Sequence, residues 1–91
     1  EKFHPEEVEL VIKEIPEILD AAVIGIPNDL FGQSPIAFVV PNNEITSTQI
    51  INNCSKKLER YKIPIKILFL DEIPKTDSGK IKRNTLRSKF D

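Results

Sequence analysis

Ten consecutive residues, Pro74-Lys75-Thr76-Asp77-Ser78-Gly79-Lys80-Ile81-Lys82-Arg83, hold most of what this chain offers to a reaction. Thr-Asp-Ser-Gly is turn chemistry: short polar side chains bond the local backbone, and Gly79 accepts a positive φ. Such a turn throws Lys80 outward at a fixed place, with Lys82 and Arg83 close behind. A lysine placed that way can meet a phosphate or carboxylate oxygen as a compact, mobile charge. The stretch is not a Walker A loop, which requires Gly-x-x-x-x-Gly-Lys-Ser/Thr after a strand; here Ile81 follows the lysine. On residue chemistry alone, a Gly-Lys turn is more often a plain solvated turn than a site.

Other catalytic constellations are excluded by counting. One His and one Cys leave no Cys/His metal site, and the single His4, beside Pro5 at a helix start, reads as a surface or capping residue rather than the base of a Ser/His/Asp triad. Cys54 falls on an apolar helix face, which predicts a buried, inert thiol. A lone cysteine allows no internal disulfide and suits a reducing, cytoplasmic compartment. No apolar run approaches the roughly 18 residues of a membrane span, and the first residues lack the pattern of a signal peptide. Ninety-one residues make one domain. A chain this short buries roughly 60–65 % of its unfolded surface, too little for a core plus a deep private active site. The absence of methionine and the start at Glu1 lead to the same expectation, a piece of something larger.

Charge is unevenly spread. Residues 1–45 carry nine acidic and two basic side chains, a net −7, and residues 46–91 carry eleven basic and five acidic, a net +6. A basic half can face a nucleotide, coenzyme A or nucleic acid, or it can be a solvated surface attracted to the acidic half.

The elements that must position the lysine are legible in outline. Pro5 suits a first helical position, and Val8, Val11, Ile12 and Ile15 share one helical face, which predicts a helix over 6–15 ended by Pro16. Two apolar runs, 21–26 and 35–40, read as an antiparallel strand pair joined by a long connection over 27–34. Thr46 and Gln49 form a capping box, with Ile45 and Ile50 at the staple positions. The helix they open is predicted to show Ile50, Ile51, Cys54, Leu58 and Tyr61 on one face. Residues 65–70 read as a third strand, 71–79 as a loop and 84–90 as a short basic helix. The expected fold is α+β: a small domain with a three-stranded, mainly antiparallel sheet flanked by helices.

Pro74-Lys75-Thr76-x-Ser78-Gly79-Lys80-Ile81-x-Arg83 resembles the last core motif of the adenylate-forming enzymes: acyl-CoA synthetases, aryl-CoA ligases, luciferases and peptide-synthetase adenylation domains. The rest of the chain agrees in order. Pro5-Glu6-Glu7-Val8-Glu9 looks like the family's P-x-E-I-E helix start. Ala22-Val23-Ile24-Gly25-Ile26-Pro27-Asn28-Asp29 with Phe31-Gly32-Gln33 looks like its A-V-V-G-x-P-D-x-x-G-E segment. Ala37-Phe38-Val39-Val40 and Arg60-Tyr61-Lys62-Ile63-Pro64 match further stretches. Where the family has Gly-Glu, this chain has Gly32-Gln33, so no role is carried over to Gln33.

The resemblance implies that residues 1–91 are the C-terminal lid of a ligase whose N-terminal domain binds ATP and a fatty or aryl acid. Lys80 would be the catalytic lysine of carboxylate adenylation, which yields acyl-AMP and pyrophosphate. Thr76, Ser78 and Gly79 would position its loop. The lid would then rotate for thioester formation with CoA. Lys82 and Arg83 are candidate phosphate or CoA contacts beside the alternative of solvated helix charges. ATP and CoA are the implied substrates, with Mg²⁺ arriving with ATP through the N-terminal domain. The family's hinge and Gly-rich loop are expected upstream of Phe3, and the 91 residues alone are expected to be inactive. Two other readings stand beside this one. The thiol could sit on a carrier protein, as in a peptide-synthetase adenylation domain. Alternatively the basic half could bind nucleic acid without catalysis, but an RNA-binding sheet needs exposed strand aromatics, and Phe38 and Phe69 read as core. The expectation is therefore no nucleic acid and no membrane span.

Overall fold

The computed structural model describes residues 2–28, 30 and 32–90. Their elements run α1 (Pro5–Lys13), β1 (Ile18–Asn28), β2 (Gly32–Pro41), α2 (Ser47–Ser55), a 3₁₀ turn (Arg60–Lys62), β3 (Lys66–Phe69) and α3 (Arg83–Phe90). The sheet order is β1-β2-β3. β1 and β2 pair antiparallel from Ile18↔Pro41 to Asn28↔Gly32, with a register shift between Ile18 and Asp20. β3 joins β2 in parallel, from Ile36↔Lys66 to Val39↔Phe69. The sheet is mixed and mostly antiparallel, and the fold is α+β as expected.

β1 and β2 read as unbroken apolar runs because both faces of the sheet are covered. Side chains alternate across a strand, so the runs split into two cores. Ala21, Val23, Ala37 and Val39 face α1 and α2, meeting Val8, Ile12, Ile50 and Cys54. Ala22, Ile24, Ile36, Phe38 and Val40 face the other way, meeting Ile73 and Leu86, with Ile81 packed at the margin. The segment that carries Lys80 therefore lies over the second face.

Several boundaries differ from the sequence expectation, each for a local reason. α1 stops at Lys13 rather than residue 15, because Pro16 disfavours helical geometry in Ile15 before it and would clash with the carbonyl of Ile12. The strands run on to Asn28 and Gly32, which shrinks the expected 27–34 connection to residues 29–31. β1 is an edge strand, so Pro27 can sit in it without removing a ladder bond. α2 ends at Ser55 instead of running to Tyr61. Asn53 donates to the Gln49 carbonyl at 3.1 Å and Ser55 to the Asn52 carbonyl at 2.7 Å. Such side-chain bonds to carbonyls weaken a helix. Leu58 and Tyr61 still pack against the first core from the segment beyond. Phe69, expected in the core, is 44 % exposed; it is the last residue of a four-residue edge strand. Phe38 is fully buried as expected.

Candidate functional site

The predicted turn is a short hairpin. Gly79 N–H donates to the Thr76 carbonyl at 2.9 Å and Thr76 N–H to the Lys80 carbonyl at 2.8 Å. Lys80 N–H donates to Thr76 Oγ1 at 3.1 Å, and that hydroxyl lies 3.1 Å from Ser78 Oγ. Lys75 pairs with Ile81, and Lys82 N–H reaches the Pro74 carbonyl at 2.9 Å. Gly79 has φ +90°, a left-handed conformation that a side chain resists even though a Cβ there would meet open space. Both backbone polar groups of Lys80 are thus tied down by Thr76. Its exposed side chain has no hydrogen bond or ion pair among the described residues. The hairpin holds the peptide and leaves the ammonium free to meet an anion.

Each leg of the hairpin is anchored to the sheet. On the incoming side, Lys75 Nζ lies 2.7 Å from Asp20 Oδ2, and Asp20 Oδ1 accepts the Ala21 N–H at 2.8 Å. On the outgoing side, Arg83 Nη1 donates to Glu9 Oε2 at 2.7 Å and to the Val23 carbonyl, with Glu6 at 3.6 Å from Nη2. Glu9 Oε2 also accepts the Val23 N–H at 2.8 Å. Ala21, Val23 and Gly25 turn polar backbone groups toward the open edge of β1. Arg87, one helical turn beyond Arg83, reaches the Gly25 carbonyl at 3.5 Å. The two arginines of α3 thus cover an edge that would otherwise present unpaired groups.

The predicted residues separate by role. Thr76, Ser78 and Gly79 gather around Lys80. Lys82 is exposed, with no ion pair among the described residues. Arg83 is committed inside the domain. Gly25, in the stretch Ala22–Asn28, lies under Gln33: a Cβ there would come within 2.8 Å of Gln33 Oε1 and 3.2 Å of the Phe3 ring. Asp29 and Phe31 of the same stretch lie outside the described residues. Lys62 is 15 % exposed at its side chain and is held by Glu7 at 3.0 Å and Glu59 at 3.2 Å. The hydrogen bond it donates to Glu7, then the one it donates to Glu59, raises its pKa above the ordinary lysine value. Burial pushes the Cys54 thiol up to about 11, which removes it as a nucleophile at neutral pH. Among the described residues no three His, Cys, Asp or Glu side chains gather in a way that could hold a metal ion. No helix among them is long and apolar enough to cross a membrane.

Glu9 and Asp20, the anchors of the hairpin, were not singled out as site residues from sequence. Glu9 lies off the apolar stripe of α1, so periodicity gives no sign that it is only 4 % exposed. The one available signal was its place in the Pro5–Glu9 stretch.

Comparison with known proteins then narrows the reading. The family model of the AMP-binding enzyme C-terminal domain matches residues 7–80. A putative acyl-CoA ligase, YdaB of Bacillus subtilis, is 43 % identical over 90 residues, covering 97 % of this chain and 18 % of that protein. The 2-succinylbenzoate-CoA ligase of Bacillus cereus is 41 % identical over 87 residues, covering 96 % of this chain and 18 % of the other. Among solved structures, a Mycobacterium tuberculosis fatty acyl CoA synthetase superposes with a TM-score of 0.85 at 39 % identity, over 96 % of this chain and 18 % of that one. The anthranilate CoA ligase AuaEII, in complex with anthranoyl-AMP, superposes with a TM-score of 0.80 at 39 % identity, over 93 % and 17 %. The chain spans 18 % of the length of the curated relatives it matches.

Proposed function

Because the chain belongs to the family of AMP-binding enzyme C-terminal domains, we propose that it is the mobile lid of an ATP-dependent acyl- or aryl-CoA ligase and that it supplies Lys80 to the adenylation step. The observation that carries this reading is the free ammonium of Lys80 on a hairpin fixed at both legs. The relatives named above are CoA ligases, which favours CoA over a carrier-protein thiol. One of them binds an acyl-adenylate, the intermediate this reading requires. A nucleic-acid module is disfavoured, because helices cover both sheet faces and Phe38 is buried.

The chemistry explains why a free lysine is useful. The substrate carboxylate attacks the α-phosphorus of ATP, forms acyl-AMP and releases pyrophosphate. Two anions must approach, and charge builds on the phosphoryl oxygens as they do. An ammonium already in place in a closed site offsets both effects without reorganising. The lid then rotates, and the CoA thiol attacks the acyl carbonyl, forming the thioester and releasing AMP. Lys82 is left available for a phosphate of nucleotide or CoA. Mg²⁺ is expected to enter with ATP on the N-terminal domain rather than on these residues. A reducing, cytoplasmic setting suits the single free Cys54.

The test is Lys80→Ala in the full-length ligase, with the half-reactions assayed separately. Pyrophosphate release should fall roughly 10²–10³-fold, about 3–4 kcal/mol of lost stabilisation. Thioester formation from supplied acyl-adenylate should stay near the unmodified rate. Equal rates of adenylation with and without the lysine would remove Lys80 from the mechanism.

A further inference from the structure

We propose that Glu9 is a positioning residue for Lys80, acting through Arg83. The inference rests on the adenylation reading above and adds to it a second group, far away in sequence, that sets the lysine's place.

The geometry is specific. Arg83 follows Lys80 by three residues and opens α3. Its guanidinium spans from the hairpin to two other elements, meeting the carboxylate of Glu9 on α1 and the Val23 carbonyl on β1. Glu9 in turn accepts the N–H of the same Val23 residue. One buried carboxylate oxygen therefore fixes both the strand and the cation. Glu6, the other carboxylate near Arg83, is largely exposed and sits 3.6 Å away, so it cannot substitute for a 2.7 Å contact. A planar guanidinium with several fixed donors is suited to hold such a junction, whereas a lysine offers a single point of charge. The Lys80 ammonium has no partner within the domain to hold it, so its position follows from the hairpin, and the hairpin's from its anchors.

A displacement of about 1 Å in a charge-stabilising group can cost on the order of 10²-fold in rate. Both Glu9 contacts fall on one oxygen, so Glu9→Gln keeps an acceptor there but removes the charge; it weakens the charge-assisted bond to the guanidinium and so loosens the outgoing leg. Glu9→Asp and Arg83→Lys keep the charges but shorten the reach or remove the planar fork. The experiment is a double-mutant cycle in the full-length ligase: each of the three changes alone and combined with Lys80→Ala, with adenylation and thioester formation assayed separately.

Glu9→Gln is expected to slow adenylation about 10- to 100-fold and to leave thioester formation from acyl-adenylate within about threefold. In the Lys80→Ala background its effect on adenylation should shrink to under about threefold, because two groups acting in series are not additive. Glu9→Asp and Arg83→Lys should slow adenylation with the same selectivity, and their effects should likewise shrink in the Lys80→Ala background. A Glu9 that serves only general stability predicts the opposite pattern: equal losses in both half-reactions, and full additivity with Lys80→Ala. Either result overturns the inference, as does normal adenylation in Glu9→Gln. If Glu9→Gln does not fold, the same cycle is run with Glu9→Asp and Arg83→Lys, with the same two outcomes. Failure of Lys80→Ala itself to slow adenylation would instead reject the functional reading on which the inference rests.

Discussion

The turn at Arg60–Lys62 and the hairpin over residues 75–81 each present a lysine from a stretch that resembles a family motif. Lys62 lies between two carboxylates and is mostly covered. Lys80 stands on a tight turn with its backbone bonded and its ammonium unpaired among the described residues. The first lysine closes the domain onto α1, since Glu7 belongs to that helix. The second is exposed. On the proposed reading, a residue of a motif-like stretch can serve architecture or chemistry, and the partners of its charge distinguish the two. α1 extends the lesson: its glutamates hold Lys62 on one side and Arg83 on the other, so three motif-like stretches separated in sequence meet at one helix.

The strongest challenge to this contrast is a paired substitution. Lys80→Met should lower adenylation roughly 10²–10³-fold and leave the thermal midpoint of the protein unchanged. Lys62→Met should lower the thermal midpoint and affect neither half-reaction selectively. Half-reaction kinetics and a thermal melt on the same preparations decide, and an exchange of the two phenotypes would refute the assignment. Gly79→Ala comes next. It forces a left-handed conformation on a residue with a Cβ, at about 1–2 kcal/mol, read as a lower denaturation midpoint. Adenylation should fall with it, because the same turn aims Lys80. Lys75→Ala removes a partly exposed pair with Asp20 and should cost under about 1 kcal/mol, less at high salt.

The mildest test uses pH. The folded pKa of Lys62 is raised by its bonds to Glu7 and Glu59. Stability from those bonds is therefore fully present below the unfolded lysine value, roughly 10.4, and is lost as pH rises through the higher folded value. Unfolding followed by denaturant titration above pH 10 should show this decline, and Lys62→Met should flatten it.

Local chemistry explains which parts were readable in advance. The Thr46 capping box is fully formed: Thr46 Oγ1 accepts the Gln49 N–H at 3.1 Å and Gln49 Oε1 accepts the Thr46 N–H at 2.9 Å. The Thr76–Gly79 turn likewise needs only its own residues, so the place of Lys80 on an exposed turn could be inferred before the fold was known. What was hidden depends on distant partners. The burial of Glu9 requires a cation 74 positions away, and no pattern within α1 announces it. The exposure of Phe69 depends on β3 being an outer strand, which an apolar run cannot reveal. The break after Ser55 depends on side chains competing for carbonyls, against an apolar spacing that would have continued the helix through Tyr61.

The 74-residue separation of Glu9 and Arg83 also bears on how the chain acquires its shape during synthesis. α1 and the first two strands are made long before Arg83 leaves the ribosome. Until then the Glu9 carboxylate has no guanidinium to accept, and burying it would cost far more than leaving it hydrated. The interval between α1 and β1 should accordingly stay wet and loose until the last helix arrives. Contacts of such long range form late and slow the whole process. A chain truncated before residue 83 would keep a hydrated carboxylate and an uncovered strand edge, a combination that invites pairing with other unfinished chains.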